Sequence, residues 1–170
     1  AEGKALSLQE QVDELANRVS KRIEAPALSK GLYPPLSLVK EWAEATFGEQ
    51  LVISNRAQKA ARNHGHHRDL PTIYGGLSAL ANEYLRMRLA SNGQNQRAKE
   101  AFDRRLANMN LEDRFSINQV KAGGYGETYY VTVDGVRHFL RDHLTKGSAR
   151  DSQTIIRIYY TYDEVNARVI

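Results

Sequence analysis

The sequence predicts an α+β fold, with helices first and an antiparallel sheet second. Apolar residues recur at helical spacings of three and four as far as about residue 109. From about residue 125 the period changes to two, and Asp134-Gly135 sits between two alternating runs as a hairpin turn. A block of helices followed by a block of strands argues for α+β rather than a parallel α/β sheet. The expectation is about five helices, then one sheet of at least four strands. Residues 1–30 are read as a helical arm and linker, and 31–170 as a single domain with helices within 37–109 and the sheet within 125–170. The apolar run that stops at Ile170 is read as belonging to a longer chain.

Each element has its own signal. Leu8, Val12, Leu15, Val19 and Ile23 form one apolar stripe, with Ser7 and Glu10 spaced as a capping box. That stripe suits either a homodimer seam or packing within the same domain. Pro26, Gly31, Pro34 and Pro35 mark a linker. Ser37 to Gly48 predicts a short helix with Val39, Trp42 and Phe47 inward, and a basic helix follows from about Asn55 to Gly65. Asp69 or Leu70 caps the clearest helix, Pro71 suits its first turn, and Ile73, Leu77, Leu80, Tyr84 and Met87 form its stripe. "SNG" is expected to stop it at Gly93, before a helix from about Gln94 to Met109 with Ala98, Phe102, Leu106 and Met109 inward. Tyr129, Val131 and Val133 share a strand face, and Val136, His138 and Leu140 return on the next strand. "RDHLTKGSARDS" is expected to be a polar connection. Ile156, Ile158, Tyr160 and Tyr162 then face one way, with Ile155, Arg157 and Tyr159 opposite, before a turn over Asp163 to Ala167 and a last strand from Arg168.

Composition excludes several classes. There are no cysteines, so disulfides and thiolate zinc sites are ruled out. No apolar run approaches the ~20 residues of a membrane span, and the N-terminus lacks a signal-peptide pattern. A cytoplasmic protein without membrane contact is expected. Residues 1–50 hold 6 Lys/Arg against 8 Asp/Glu, whereas residues 51–170 hold 18 against 12. A basic body points to a polyanionic partner, RNA or DNA.

His64, His66 and His67 lie in "NHGHHRD", whose spacing lacks the carboxylate or thiolate that would complete a metal site, so no metal is expected. "AGGYG" enters a strand rather than opening a helix, so it is neither a Walker loop nor a dinucleotide fingerprint, and no cofactor is expected. The densest local cluster is Arg137, Arg141, His143, Lys146, Arg150 and Arg157, in a region that carries six of the nine tyrosines. Basic side chains hold phosphates, and tyrosine rings such as Tyr159 and Tyr160 offer stacking surfaces for unpaired bases. Arg137, Arg141, Lys146, Arg150 and Tyr159 are the candidate nucleic-acid contacts. His143, next to Asp142, is the candidate for moving a proton.

"RIYYTYDEVNARVI", Arg157 to Ile170, resembles the paired strands of the RelE/ParE toxin superfamily. Those small α+β domains carry a strand reading Arg-aliphatic-aromatic-Tyr before an acidic turn and an apolar return strand. The resemblance implies cleavage of ribosome-bound messenger RNA by basic and aromatic residues. It places Arg157 and Tyr160 beside His143 as candidate catalytic residues. The layout is also similar to bacterial domains that end in an "HL…G…RIYF" pattern. The leading expectation is therefore a bacterial nucleic-acid-binding domain related to RelE-like ribonucleases. The alternative is a protein-interaction module using the Leu8–Ile23 stripe, and whether the chain is an enzyme stays open at this point.

Overall fold

A computed structural model of the chain describes residues 33–63, 67–116, 118, 126–147 and 155–170. These residues belong to one compact unit, Tyr33–Ile170. The Leu8–Ile23 stripe, His64, His66, Gly65 and Arg150 lie outside the described residues. Among the described residues the fold is α+β, with four helical rods followed by antiparallel strands. The fifth expected helix, within residues 1–30, lies outside the described residues.

A 3₁₀ turn, Leu36–Leu38, leads into α1, Val39–Phe47. Val39 and Ala43 are buried, one turn apart. Gly48 ends this helix with φ of +58°, where a side chain would strain the backbone. Helix α2, Asn55–Asn63, is basic on its outer faces and buries only Gln58. That amide is satisfied: its oxygen accepts from the Lys40 N–H and its nitrogen donates to the Ser37 carbonyl.

Asp69 is the N-cap of α3, Leu70–Ala79, accepting from the Thr72 N–H at 3.3 Å, with Pro71 in the first turn. The rod continues through a π-helical turn, Leu80–Tyr84, into α4, Leu85–Leu89. Leu77, Leu80 and Tyr84 are buried as their spacing predicts. "SNG" does the opposite of what was expected. The rod already ends at Leu89, and Ser91 is the N-cap of α5, Asn92–Ala107. Ser91 opens the helix through its backbone, its carbonyl accepting from the Gln94 and Asn95 N–H groups at 2.9 and 3.2 Å, while its hydroxyl makes no capping bond. Phe102 and Leu106 face the core.

The strands depart from the single expected sheet. β1 (Glu112–Phe115), β4 (Asp142–Lys146) and β5 (Ile156–Tyr160) form a three-stranded antiparallel sheet in the order β1-β4-β5. β2 (Tyr130–Val133) and β3 (Val136–Phe139) form a separate hairpin, as do β6 (Tyr162–Asp163) and β7 (Arg168–Val169). The Asp134-Gly135 turn is as expected, with φ of 51° and 77°. The expected polar connection is partly wrong. Asp142–Lys146 is the central strand, and its Leu144 is fully buried. Ile170 does not stand alone: it exchanges both backbone hydrogen bonds with Thr161 at 3.0 Å.

Register sorts the side chains of the main sheet. Residues paired across an antiparallel ladder share a face. Asp113, Leu144 and Ile158 therefore line one face, and Arg114, His143 and Tyr159 the other. The first face packs on α3, where Gly76 lets Leu111, Ile158 and Leu144 approach so closely that a Cβ would sit 3.1–3.4 Å from them. Among the described residues no helix covers the second face. No helix among them is long and apolar enough to cross a membrane.

Candidate functional site

The uncovered face carries two successive cross-strand rows. One is Glu112, Thr145 and Arg157; the other is Arg114, His143 and Tyr159. Strand periodicity alone dictates this, since residues two apart return to the same face. Tyr159 is 37% exposed, and Arg114 and Arg157 are exposed. Arg114 is held by Glu112 through Nε at 2.8 Å. No carboxylate among the described residues lies within ion-pair distance of Arg157.

His143 is the centre of the face. Its ring stacks on Tyr159 with centroids 5.1 Å apart and planes 27° apart. Its Nδ1 lies 3.1 Å from the Ser116 hydroxyl, which orients the ring and leaves Nε2 for another partner. Partial burial, then the positive charges of Arg157 and Arg114, push the imidazole below its ordinary value. It is neutral near pH 7 and can accept a proton.

The aromatic surface extends beyond the sheet. Tyr159 meets Tyr129 edge-on at 6.0 Å, Tyr129 lies 6.3 Å from Phe139, and Phe139 lies 5.2 Å from Tyr130. Five rings, from His143 to Tyr130, thus follow one another at centroid distances of 5.1–6.3 Å. Arg137 closes the far end, its guanidinium 3.8 Å from the Tyr130 centroid and also paired with Glu127.

The structure brings together His143, Arg157 and Tyr159 of the expected site, with Arg137 at the end of the ring row. It separates the others. Tyr160 is on the helix-covered face, 1% exposed, and donates to Asp113 Oδ1 at 2.6 Å. Burial, reinforced by that carboxylate, pushes its phenol far up, so it is a packing residue. Lys146 is also on that face, and its ammonium is held by Asp69 at 2.7 Å and Thr72 at 3.2 Å. Arg141 is exposed and pairs with its neighbour Asp142 at 3.2 Å. Among the described residues, His67 is engaged by hydrogen bonds. Its Nδ1 accepts from the Asp69 N–H, and its Nε2 donates to the Ile155 carbonyl, tying the loop before α3 to β5.

Sequence reasoning missed Arg114, Ser116 and Tyr129. Arg114 and Ser116 sit on or beside a strand too short and polar to show its period, "EDRFS". Tyr129 was expected on the face of a strand with Val131 and Val133; it precedes β2 and bridges two sheets instead. Comparison with protein-family models, curated proteins and solved structures found no match for the chain.

Proposed function

We propose that the uncovered sheet face binds single-stranded nucleic acid. The observation that carries this is the continuous row of five rings flanked by Arg114, Arg157 and Arg137. Ring faces stack on unpaired bases whatever their identity, and guanidiniums meet phosphates. Tyr159 is exposed and the other four rings are half-buried, so each keeps part of its surface open beside the cations, which interior packing alone does not explain.

Fluorescence anisotropy on labelled single-stranded RNA and DNA, over a range of salt, tests it. Arg157→Gln should flatten the log-affinity against log-salt slope by nearly one unit, the signature of one lost phosphate contact. Arg114→Gln should flatten it less, because Glu112 already pairs with that charge. Tyr159→Ala should weaken binding by about tenfold with little change of slope. No binding of either polymer at low salt would overturn the proposal.

Cleavage of the bound strand is a second reading, favoured by His143 alone. A neutral imidazole beside two guanidiniums can take a proton from a ribose hydroxyl while the guanidiniums hold the phosphate. His143→Phe keeps the stacking ring and should leave binding nearly intact while removing any cleavage of RNA, by the 10²–10⁴-fold that proton transfer contributes.

A further inference from the structure

The ring row is built from two clusters that share no backbone ladder. Tyr130 and Phe139 face each other across β2 and β3, and His143 and Tyr159 across β4 and β5. These pairs belong to different sheets. Their only ring joint among the described residues is Tyr129, which precedes β2 and touches Phe139 on one side and Tyr159 on the other.

The backbone around that joint is tied down on both sides. The Tyr129 carbonyl accepts from the Leu140 N–H at 2.7 Å, which fixes it to β3. The carbonyls on either side of it, Thr128 and Tyr130, both accept from Nη1 of Arg56, at 2.5 and 3.4 Å. Arg56 stands in the first turn of α2, more than seventy residues away in sequence. An exposed arginine whose guanidinium is turned onto backbone carbonyls is anchored rather than offered to solvent anions. The far end of the same hairpin has a different tie, Arg168 to Asp134 at 2.8 Å.

We propose that Arg56 is a positioning residue that holds Tyr129 in place, making one continuous stacking surface out of two short ones. This rests on the nucleic-acid reading above. Arg56 touches no base; it sets how many bases the surface can take. Its loss should shorten the binding footprint and leave the phosphate contacts where they are.

Arg56→Ala and Arg56→Lys in the whole chain test this by two independent measurements. In the first, proton NMR reads the ring contacts directly. Arg56→Ala should lose the Tyr129–Tyr159 contact and keep Tyr130–Phe139 and His143–Tyr159. Arg56→Lys, with one compact donor group, should keep a weakened Tyr129–Tyr159 contact. In the second, affinity is measured against oligouridylates of increasing length. Wild-type affinity should rise to a plateau, and Arg56→Ala should reach its plateau at a shorter length and about tenfold lower, with an unchanged salt slope. Persistence of the Tyr129–Tyr159 contact in a folded Arg56→Ala variant overturns the proposal, as does a wild-type length dependence. A slope flatter by one unit also overturns it, because Arg56 would then be a phosphate contact. If the wild type binds no oligomer, the nucleic-acid reading falls, and the ring contacts still decide whether Arg56 positions Tyr129.

Discussion

His143 makes the most direct test at the scale of a single residue. Burial and two nearby guanidiniums hold its imidazole below the ordinary value of about 6.5. An NMR titration should find it there, and Arg157→Gln should move it upward. The linkage has a definite sign. Between pH 6.5 and the lower folded value, the unfolded chain takes the proton first, so stability falls as pH drops through that window. A phosphate placed beside the ring acts the other way, favouring imidazolium. Binding of single strands should therefore tighten as pH falls toward 6, and His143→Phe should remove that dependence. An imidazole titrating above 6.5 in the free protein would contradict the arrangement described. The period-two alternation of "RIYY" was enough to place Arg157 and Tyr159 on one face and Tyr160 on the other. The RelE-like pattern drew Tyr160 into the candidate site against that alternation, and the structure follows the alternation. The role of Lys146 was not legible, because its partner Asp69 lies 77 residues away and nothing local in the sequence points to the pairing.

At the scale of elements, β4 shows why part of the sheet escaped sequence reading. Arg141-Asp142-His143-Leu144-Thr145-Lys146 contains a single apolar residue, so neither a hydrophobic run nor an alternation is visible. A central strand needs only one buried position when its uncovered face carries a site. Here Leu144, at 0% exposure, fills that position against Gly76 and Ile158. Leu144→Ala should cost about 2–5 kcal/mol in chemical denaturation, a core-sized loss from a segment that reads as a loop. A cost below 1 kcal/mol would mean that β4 is not central. The start of helix α3 was legible, because its cap, its proline and its stripe all agree, whereas the π turn and the end of the rod at Leu89 were not. The hairpin turn was legible because Asp-Gly satisfies two positive φ angles locally. How the strands divide into three sheets was not legible, since it depends on long-range pairing such as β1 with β4.

Across the whole molecule, buried and half-buried carboxylates tie elements together: Asp69 joins a helix to a strand, and Asp163 braces its own β6–β7 hairpin, where it faces Arg168 across the ladder. Asp69 caps α3 and holds Lys146 at the end of β4. Asp163, 4% exposed, accepts from Arg168 Nε at 2.9 Å and from the Asn166 side chain at 2.8 Å. Arg168 in turn reaches Asp134 in the β2–β3 turn. These ties join the helical layer to the main sheet, and the last hairpin to the middle one. Burial alone would raise both Asp69 and Asp163. For Asp69, hydrogen bonds from Lys146 and Thr72 outweigh it; for Asp163, those from Asn166 and Arg168 do, so both carboxyls sit below the ordinary value. A depressed folded value means that the unfolded chain takes protons first. The stabilisation is thus present above the unfolded value of about 3.9 and is lost as pH falls from there through the folded values. Denaturation curves from pH 7 to pH 2 should show an acid limb whose steepest part lies below pH 4. Asp163→Asn should be less stable at pH 7 and have a shallower acid limb, because its amide cannot hold the Arg168 guanidinium as an ion pair. Asp69→Asn should shallow the limb less, since both partners of that pair keep some contact with water. The two variants together should flatten the limb by the sum of their separate effects, because the sites share no residue. An acid limb that survives both substitutions would place the acid sensitivity in other carboxylates.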